Sequence, residues 1–206
     1  MHDGTILSRY GADFTSPLAY LMENQTNIQY SLEWVSQISD ISLEQWNRLA
    51  IALKTPFFEC EWLHAMEASG SVKAETGWQP NHLVIWAGDE LVAAAPLYLK
   101  GHSYGEFVFD QQWADLAYRL GIEYYPKLLG MSPFTPVEGY RFLIAPGHDE
   151  ELLTRAMIEA IDQFCLKHRI VSCNFLYADP AWRSRLESLG FISWLHHSYI
   201  WSNQSY

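Results

Sequence analysis

Residues 149–201 read DEELLTRAMIEAIDQFCLKHRIVSCNFLYADPAWRSRLESLGFISWLHHSYIW, and this stretch decides the fold. Leu152, Leu153, Ala156, Met157, Ala160, Ile161, Phe164 and Cys165 recur at i, i+1, i+4 and i+5, which draws one apolar stripe along a helix. Glu150 and Glu151 stand at its positive end and Lys167, His168 and Arg169 at its negative end, where the helix dipole favours each sign. Val171 to Tyr177 then alternates as a strand. Asp179 followed by Pro180 opens a short helix carrying Trp182, Leu186 and Leu189, and Gly190 ends it. Phe191 to Trp201 closes as a long strand. Helices alternating with strands in this order imply a partly parallel sheet with helices on its faces.

Upstream, Tyr30 to Ile38 reads as a first strand. Ser42-x-x-Gln45 is a capping box, and the helix it opens carries Trp46, Leu49, Ala50 and Leu53 before Pro56 breaks it. Glu59 to Ala68 forms a second helix, ended by Gly70. His82 to Trp86 and Leu91 to Leu99 are two strands joined by the hairpin turn Gly88-Asp89-Glu90. Residues 1–29 are read as a tail to which no element is assigned, and 30–206 as a single domain. The fold class that follows is α/β, a mixed-sheet sandwich.

A chain of 206 residues with 49% hydrophobic content can bury a large core. Its 13 basic and 24 acidic residues leave a net charge of −11, which excludes a DNA-binding surface. Cys60, Cys165 and Cys173 form no C-x-x-C pair, so a reducing, cytoplasmic setting is expected. No apolar run approaches the roughly 18 residues that a membrane span needs, and the N-terminus has no signal pattern. His196 and His197 fall on opposite faces of the last strand and cannot chelate one metal.

Between the hairpin and the main helix lies Leu97–Arg141, LYLKGHSYGEFVFDQQWADLAYRLGIEYYPKLLGMSPFTPVEGYR. It opens as a buried strand and then keeps neither a 3.6 nor a 2.0 period. Polar groups interleaved with aromatics are what a ligand cleft needs. Neighbours in sequence seldom align for proton transfer, so His102 and Ser103 read as substrate contacts rather than as base and nucleophile. The alternative is a turn in which both bond to the backbone. Glu106 reads as a general base or an ammonium clamp, or else as an exposed strand end. Tyr104, Phe107 and Phe109 surround it, and burial there would raise its pKa. Asp110 weighs more as the N-cap of a helix over Gln111–Leu120 than as a catalytic group. Lys127 suits a substrate phosphate or carboxylate, or a structural bridge to Glu106 or Asp110, and the bridge is the commoner case. Arg141 carries the same two readings, with a fork that matches a carboxylate. Tyr104 is a wall or a donor. Pro133-Phe134-Thr135-Pro136 reads as a rigid kinked loop; either proline bond can be cis, but trans is strongly favoured.

The element order resembles the GNAT N-acetyltransferase fold, and Leu186-Glu187-Ser188-Leu189-Gly190-Phe191 is similar to its usual ending. The segments Pro96–Asp110, Trp113-Ala114-Asp115, Tyr124-Tyr125-Pro126-Lys127 and Pro133–Val137 resemble a bacterial peptidoglycan biosynthesis/recognition family related to the Fem-type aminoacyl transferases. Ser69–Val72 and Thr76–Pro80 fit it as well. The resemblance implies two such domains in tandem, of which this sequence covers the first. It also implies an acyl-CoA or aminoacyl-tRNA donor. The turn that would cradle a coenzyme A pyrophosphate is Ala145-Pro146-Gly147-His148 here, with few free N–H donors, so no tightly bound cofactor is expected. A chain of charge −11 is a poor tRNA surface.

Two functions follow as expectations. One is the N-terminal, acceptor-binding half of a Fem-like acyltransferase, acting on a small-molecule or peptide amine of the peptidoglycan precursor kind. Glu106 would then be the base, and His102, Ser103, Tyr104, Asp110, Lys127 and Arg141 would contact substrate. A separately encoded second half would complete it. The other is a non-catalytic GNAT-like binding or interaction module.

Overall fold

In a computed structural model, which describes residues 2–9, 28–198, 201, 202 and 204, two sheets are assembled from ten strands. The smaller sheet holds β2 (Tyr30–Val35), β4 (His82–Ala87), β5 (Glu90–Ala95) and β8 (Leu143–Ile144), in that order. The larger runs β10 (Ile192–Ser198), β1 (His2–Arg9), β9 (Cys173–Leu176), β7 (Lys127–Gly130), β6 (Leu97–Lys100), β3 (Trp78–Pro80). β7 and β9 pair in parallel; the other ladders among the described strands are antiparallel. The sheet is thus partly parallel, as the alternation of elements late in the chain requires.

Among the described residues five α-helices cover these sheets: α1 (Leu43–Ala50), α2 (Cys60–Ala68), α3 (Gln111–Arg119), α4 (Glu150–His168) and α5 (Pro180–Ser188). The main core joins α4 and α5 to both sheets through Leu153, Met157, Ile161, Leu128, Ile85 and Val92. Its centre is aromatic. Phe175 packs against Tyr140, Phe142, Trp182 and Phe191 with ring centroids 5.2–5.6 Å apart. Contacts at this spacing add to the area each ring buries. A second cluster packs α1 and α2 on the other face of the smaller sheet, through Trp46, Leu49, Leu63 and Val84.

Several expectations need correction. Leu91–Leu99 is not one strand: it divides at Pro96 into β5 and β6, which lie in different sheets. Proline has no N–H to continue the ladder, and its carbonyl instead accepts from the Tyr140 hydroxyl at 3.1 Å. Residues 2–9, read as tail, form β1 between β9 and β10. HDGTILSR has no clean alternation to announce a strand, and its partners lie far along the chain. The strand β3, three residues ending in Pro80, is too short for an alternating pattern to announce it. Only half of the capping box forms: the Ser42 Oγ accepts from the Gln45 N–H at 3.4 Å. The Gln45 side chain turns to the hairpin instead, accepting from the Leu91 N–H at 2.8 Å and donating to the Asp89 carbonyl at 3.2 Å. The cis peptide among the described residues is Tyr125–Pro126, while the bonds before Pro133 and Pro136 keep the favoured trans form.

The three cysteines are free, with Cys60 and Cys173 buried. Among the described residues no helix is long and apolar enough to cross a membrane, and no group of three ligating side chains could hold a metal.

Candidate functional site

β6 and β7 set the site. Their antiparallel register places Leu97 opposite Gly130 and Tyr98 opposite Leu129, then Lys100 opposite Lys127. Like charges directly opposite one another are unfavourable, and here both lysines are buried. The chain answers with carboxylates from the segment that follows β6. Gly105 and Phe107 both take left-handed backbone angles, φ +81° and +57°, and fold this segment back over the lysines. A side chain at Gly105 would collide with Phe134, since its Cβ would lie 2.6 Å from the ring. The Tyr177 hydroxyl holds the Glu106 carbonyl at 3.0 Å, and the Glu106 carboxylate is fully buried.

The Lys127 ammonium donates to Glu106 Oε2 at 2.7 Å, Asp110 Oδ2 at 2.7 Å and Ser103 Oγ at 2.8 Å. All three of its N–H donors are thereby used. Lys100 Nζ donates to the Tyr104 carbonyl at 3.2 Å, lies 3.9 Å from Glu106 Oε1, and stands 3.5 Å above the Trp78 ring. Asp110 Oδ2 also accepts from Ser103 at 2.7 Å and from the Tyr124 hydroxyl at 2.9 Å. Ser103 Oγ lies 2.8 Å from the Tyr125 hydroxyl; because the serine proton goes to Asp110, Tyr125 is the donor. Among the described residues Glu106 Oε1 and Asp110 Oδ1 are buried and find no hydrogen-bond partner.

These surroundings separate the four charges into two kinds. Burial pushes the Glu106 carboxyl up, against the pull of Lys127 and Lys100, and it ends above its ordinary value. Burial acts upward on Asp110 as well, but Lys127 and the hydrogen bonds from Lys127, Ser103 and Tyr124 outweigh it, so this carboxyl ends low. Burial lowers Lys127, yet Glu106 and Asp110 together hold it above its usual range. Lys100 is desolvated first of all, and its weaker partners leave it pushed down to about 7. Asp110 and Lys127 are each held toward their charged forms, whereas Glu106 and Lys100 are each pushed by burial toward their neutral forms.

A cleft of about 570 Å³ adjoins this cluster, lined by α3 and by residues 121–125. Tyr124 and Tyr125 are its shared wall. Their rings meet at 85° with centroids 4.9 Å apart, and their hydroxyls reach inward to Asp110 and Ser103.

Of the residues singled out in the sequence, Ser103, Glu106, Asp110 and Lys127 are brought together. Asp110 occupies the N-cap position of α3 but makes no capping bond, because its carboxylate is drawn to Lys127; the capping role assigned to it is corrected. Glu106 is not an exposed strand end. His102 adopts the turn arrangement, accepting from the Tyr104 N–H at 3.2 Å and covering Gly77. Tyr104 contributes its carbonyl, to Lys100 and to the Trp78 indole N–H, while its phenol ring is exposed. Arg141 lies at the entry to β8, and among the described residues no hydrogen bond joins it to the cluster. Lys100 was missed. Its one signal is register: it is cross-strand neighbour to both Lys127 and Trp78.

The N-terminus of α4, where a coenzyme A pyrophosphate would be cradled, is acidic. The Asp149 carboxylate already accepts from the Leu152 N–H at 3.0 Å, and Glu150 and Glu151 follow it. Asp149 thus occupies an N–H donor that a phosphate would need, and Glu150 and Glu151, paired with Arg185 at 2.6 Å and Arg155 at 2.9 Å, crowd the same end, so these residues fit that group poorly.

Residues 37–206 match the model of the FemAB-like family, described as peptidoglycan biosynthesis/recognition, and the chain belongs to that family. No curated protein matches it. Among solved structures it is similar to a tandem GNAT protein from the clavulanic acid biosynthesis pathway, in a form without AcCoA. The TM-score is 0.53 at 13% identity, over 94% of this chain and 50% of that one. The likeness shows a GNAT fold, and the chain spans half the length of that tandem protein.

Proposed function

We propose that the chain is the acceptor-binding half of an N-acyl or aminoacyl transferase, and that Glu106 is the final acceptor of the proton lost by an attacking amine. One observation carries this reading. An unbroken series of hydrogen bonds runs from Tyr125 at the cleft to Ser103 (2.8 Å), from Ser103 to Lys127 (2.8 Å) and from Lys127 to Glu106 (2.7 Å). An amine must be neutral to attack a carbonyl, and its proton has to leave through a positioned group. As the amine nitrogen forms its bond to the carbonyl carbon, its proton passes to the Tyr125 oxygen. The Tyr125 proton moves to Ser103 and the Ser103 proton to Asp110. Lys127 takes that proton while delivering one of its own to Glu106. The leaving group departs with the electron pair of its bond to the acyl carbon. The net change is one proton carried from the cleft to a carboxylate whose burial suits it to hold one.

Family membership supports an amine of the peptidoglycan precursor kind as acceptor. The acidic start of α4 favours a donor held by a second GNAT-like half, and acyl-CoA and aminoacyl-tRNA are the two donor classes to try. The assay pairs this chain with a candidate second half, offers acetyl-coenzyme A or aminoacyl-tRNA to a panel of amines, and detects the amide by mass spectrometry. Glu106→Gln is expected to lower kcat by about 100-fold or more, the usual weight of a positioned base. Transfer that survives both Glu106→Gln and Lys127→Ala overturns the assignment. The second reading, a non-catalytic binding module, draws on the complete burial of Glu106. It predicts ligand binding with no turnover in any pairing.

A further inference from the structure

We propose that the cleft between α3 and residues 121–125 recognises a primary alkylammonium group, its charge held against the rings of Tyr118, Tyr124 and Tyr125 and between the carboxylates of Asp115 and Glu123. The proposal rests on the amine-acceptor reading above and names the chemistry by which that amine is held.

The cleft's volume, about 570 Å³, lies within the range of small-molecule sites. Its lining contains three phenol rings and two carboxylates, and no lysine, arginine or histidine. Aromatic faces attract cations, a lysine-type ammonium included, through the negative face of the ring, and the two flanking carboxylates add the hydrogen-bond acceptors that a primary ammonium needs. Tyr124 and Tyr125 already form one corner of a box, with their rings near a right angle. Both are kept there from behind, because their hydroxyls are committed to Asp110 and Ser103. A preorganised wall of this kind loses little freedom when a ligand arrives.

The charge balance points the same way. Among the described residues neither Asp115 nor Glu123 has an ion-pair partner, although both line the cleft. The Lys127 ammonium lies 5.7 and 5.8 Å from the Tyr124 and Tyr125 ring centroids, but Glu106 and Asp110 compensate its charge, so it does not cancel the two outer carboxylates. An anion is repelled from this site. Ala114 and Ile122 complete the lining and suit a short methylene stem next to the charged head. The ammonium would then stand at the wall whose hydroxyls open the proton path; it gives its first proton to solvent, and the second, lost as the amide forms, follows that path.

The test uses the full chain and three probes of one length: n-hexylammonium, 1-hexanol and hexanoate. Binding is followed by calorimetry and by saturation-transfer NMR at low salt. The ammonium is expected to bind saturably, the alcohol at least tenfold more weakly, and the carboxylate not at all. Tyr118 and Glu123 are exposed, so Tyr118→Ala and Glu123→Gln should leave the thermal midpoint unchanged. Each should raise Kd for the ammonium about threefold, and the double variant about tenfold, as expected for one exposed cation–aromatic contact and one partly screened charge. Equal binding of alcohol and ammonium, or a Kd indifferent to both substitutions, overturns the proposal. Amide transfer whose KM for the amine ignores Tyr118→Ala sinks the cleft and leaves the transferase standing. Saturable ammonium binding lost in the double variant, with no transfer under any pairing, does the reverse.

Discussion

The two ends of the β6–β7 ladder share one backbone geometry and have opposite chemistry. At one end Tyr98 faces Leu129, and Gly130 lies so close to Tyr140 and Phe175 that it has no room for a side chain. Two residues along, Lys100 faces Lys127. The dry end is held by area and ring contacts, which need no exact partner and do not titrate. The charged end is held by a set of partners, each of which becomes a liability once another is removed. A sheet can therefore carry a titrating cluster on strands whose other end anchors the core, and the fixed end keeps the reactive end in place.

Each end can be broken separately. Phe175→Ala is expected to cost about 3–5 kcal/mol by urea denaturation, from lost burial and the cavity left behind. Lys127→Ala should cost a similar ~3–5 kcal/mol, because Glu106 and Asp110 are left buried and unpaired. The two differ in rescue. Adding Glu106→Gln to Lys127→Ala should return part of the loss, whereas no neutral partner change repairs Phe175→Ala. A strictly additive Lys127–Glu106 double variant would erase the distinction between the ends. Next in size, Gly130→Ala should cost about 1–3 kcal/mol through collision with Tyr140 and Phe175, at any pH.

Tyr124→Phe tests the charged end more gently. It removes one hydrogen bond to an ionised carboxylate, worth about 1.5–3 kcal/mol. The Asp110 carboxyl is held below its unfolded value of 3.8, so its stabilising contribution is present above that pH and lost as pH falls through the native value. The penalty of Tyr124→Phe should accordingly shrink below about pH 4, which acid titration of the unfolding midpoint would show.

Lys100 gives the smallest and most diagnostic effect. Its pKa falls from 10.5 to about 7 on folding, so between these values the unfolded chain binds a proton that the native state lacks. Stability therefore rises with pH in that window, by at most about 1.4 kcal/mol per pH unit. Glu106, held above its ordinary 4.5, opposes this slope from the acid side, and the cysteines, also raised, oppose it near and above pH 9, which makes pH 7–8.5 the useful range. Lys100→Met should flatten the slope there. Identical slopes in the two proteins would place Lys100 outside the titrating pair.

What could be read from the chain follows the same division. The apolar stripe of α4, the Asp179-Pro180 start of α5 and the Gly88-Asp89 hairpin all rest on local rules, and each forms. Ser103, Glu106, Asp110 and Lys127 stood out because polar groups among aromatics make poor core. Lys100 did not stand out, because it ends an apolar strand and looks like an ordinary charged exit. Only the register across β6 and β7 turns it into a buried neighbour of Lys127, and register is a long-range property. The same holds for Asp110: its cap position is local, but the pull of Lys127 comes from seventeen residues away. The strand β1 escaped for a like reason, since both its partners lie beyond residue 170.

That strand has a consequence for how the protein comes into being. Among the described strands β10 joins the larger sheet through β1 alone, and β1 pairs with β9 and β10, which follow it by some 165 residues or more. On the ribosome residues 2–9 leave the tunnel long before either partner exists, while β6 and β7 can pair as soon as the intervening loop has been made. The lysine cluster can therefore assemble during translation, whereas the edge of the sheet must wait until synthesis has passed residue 198.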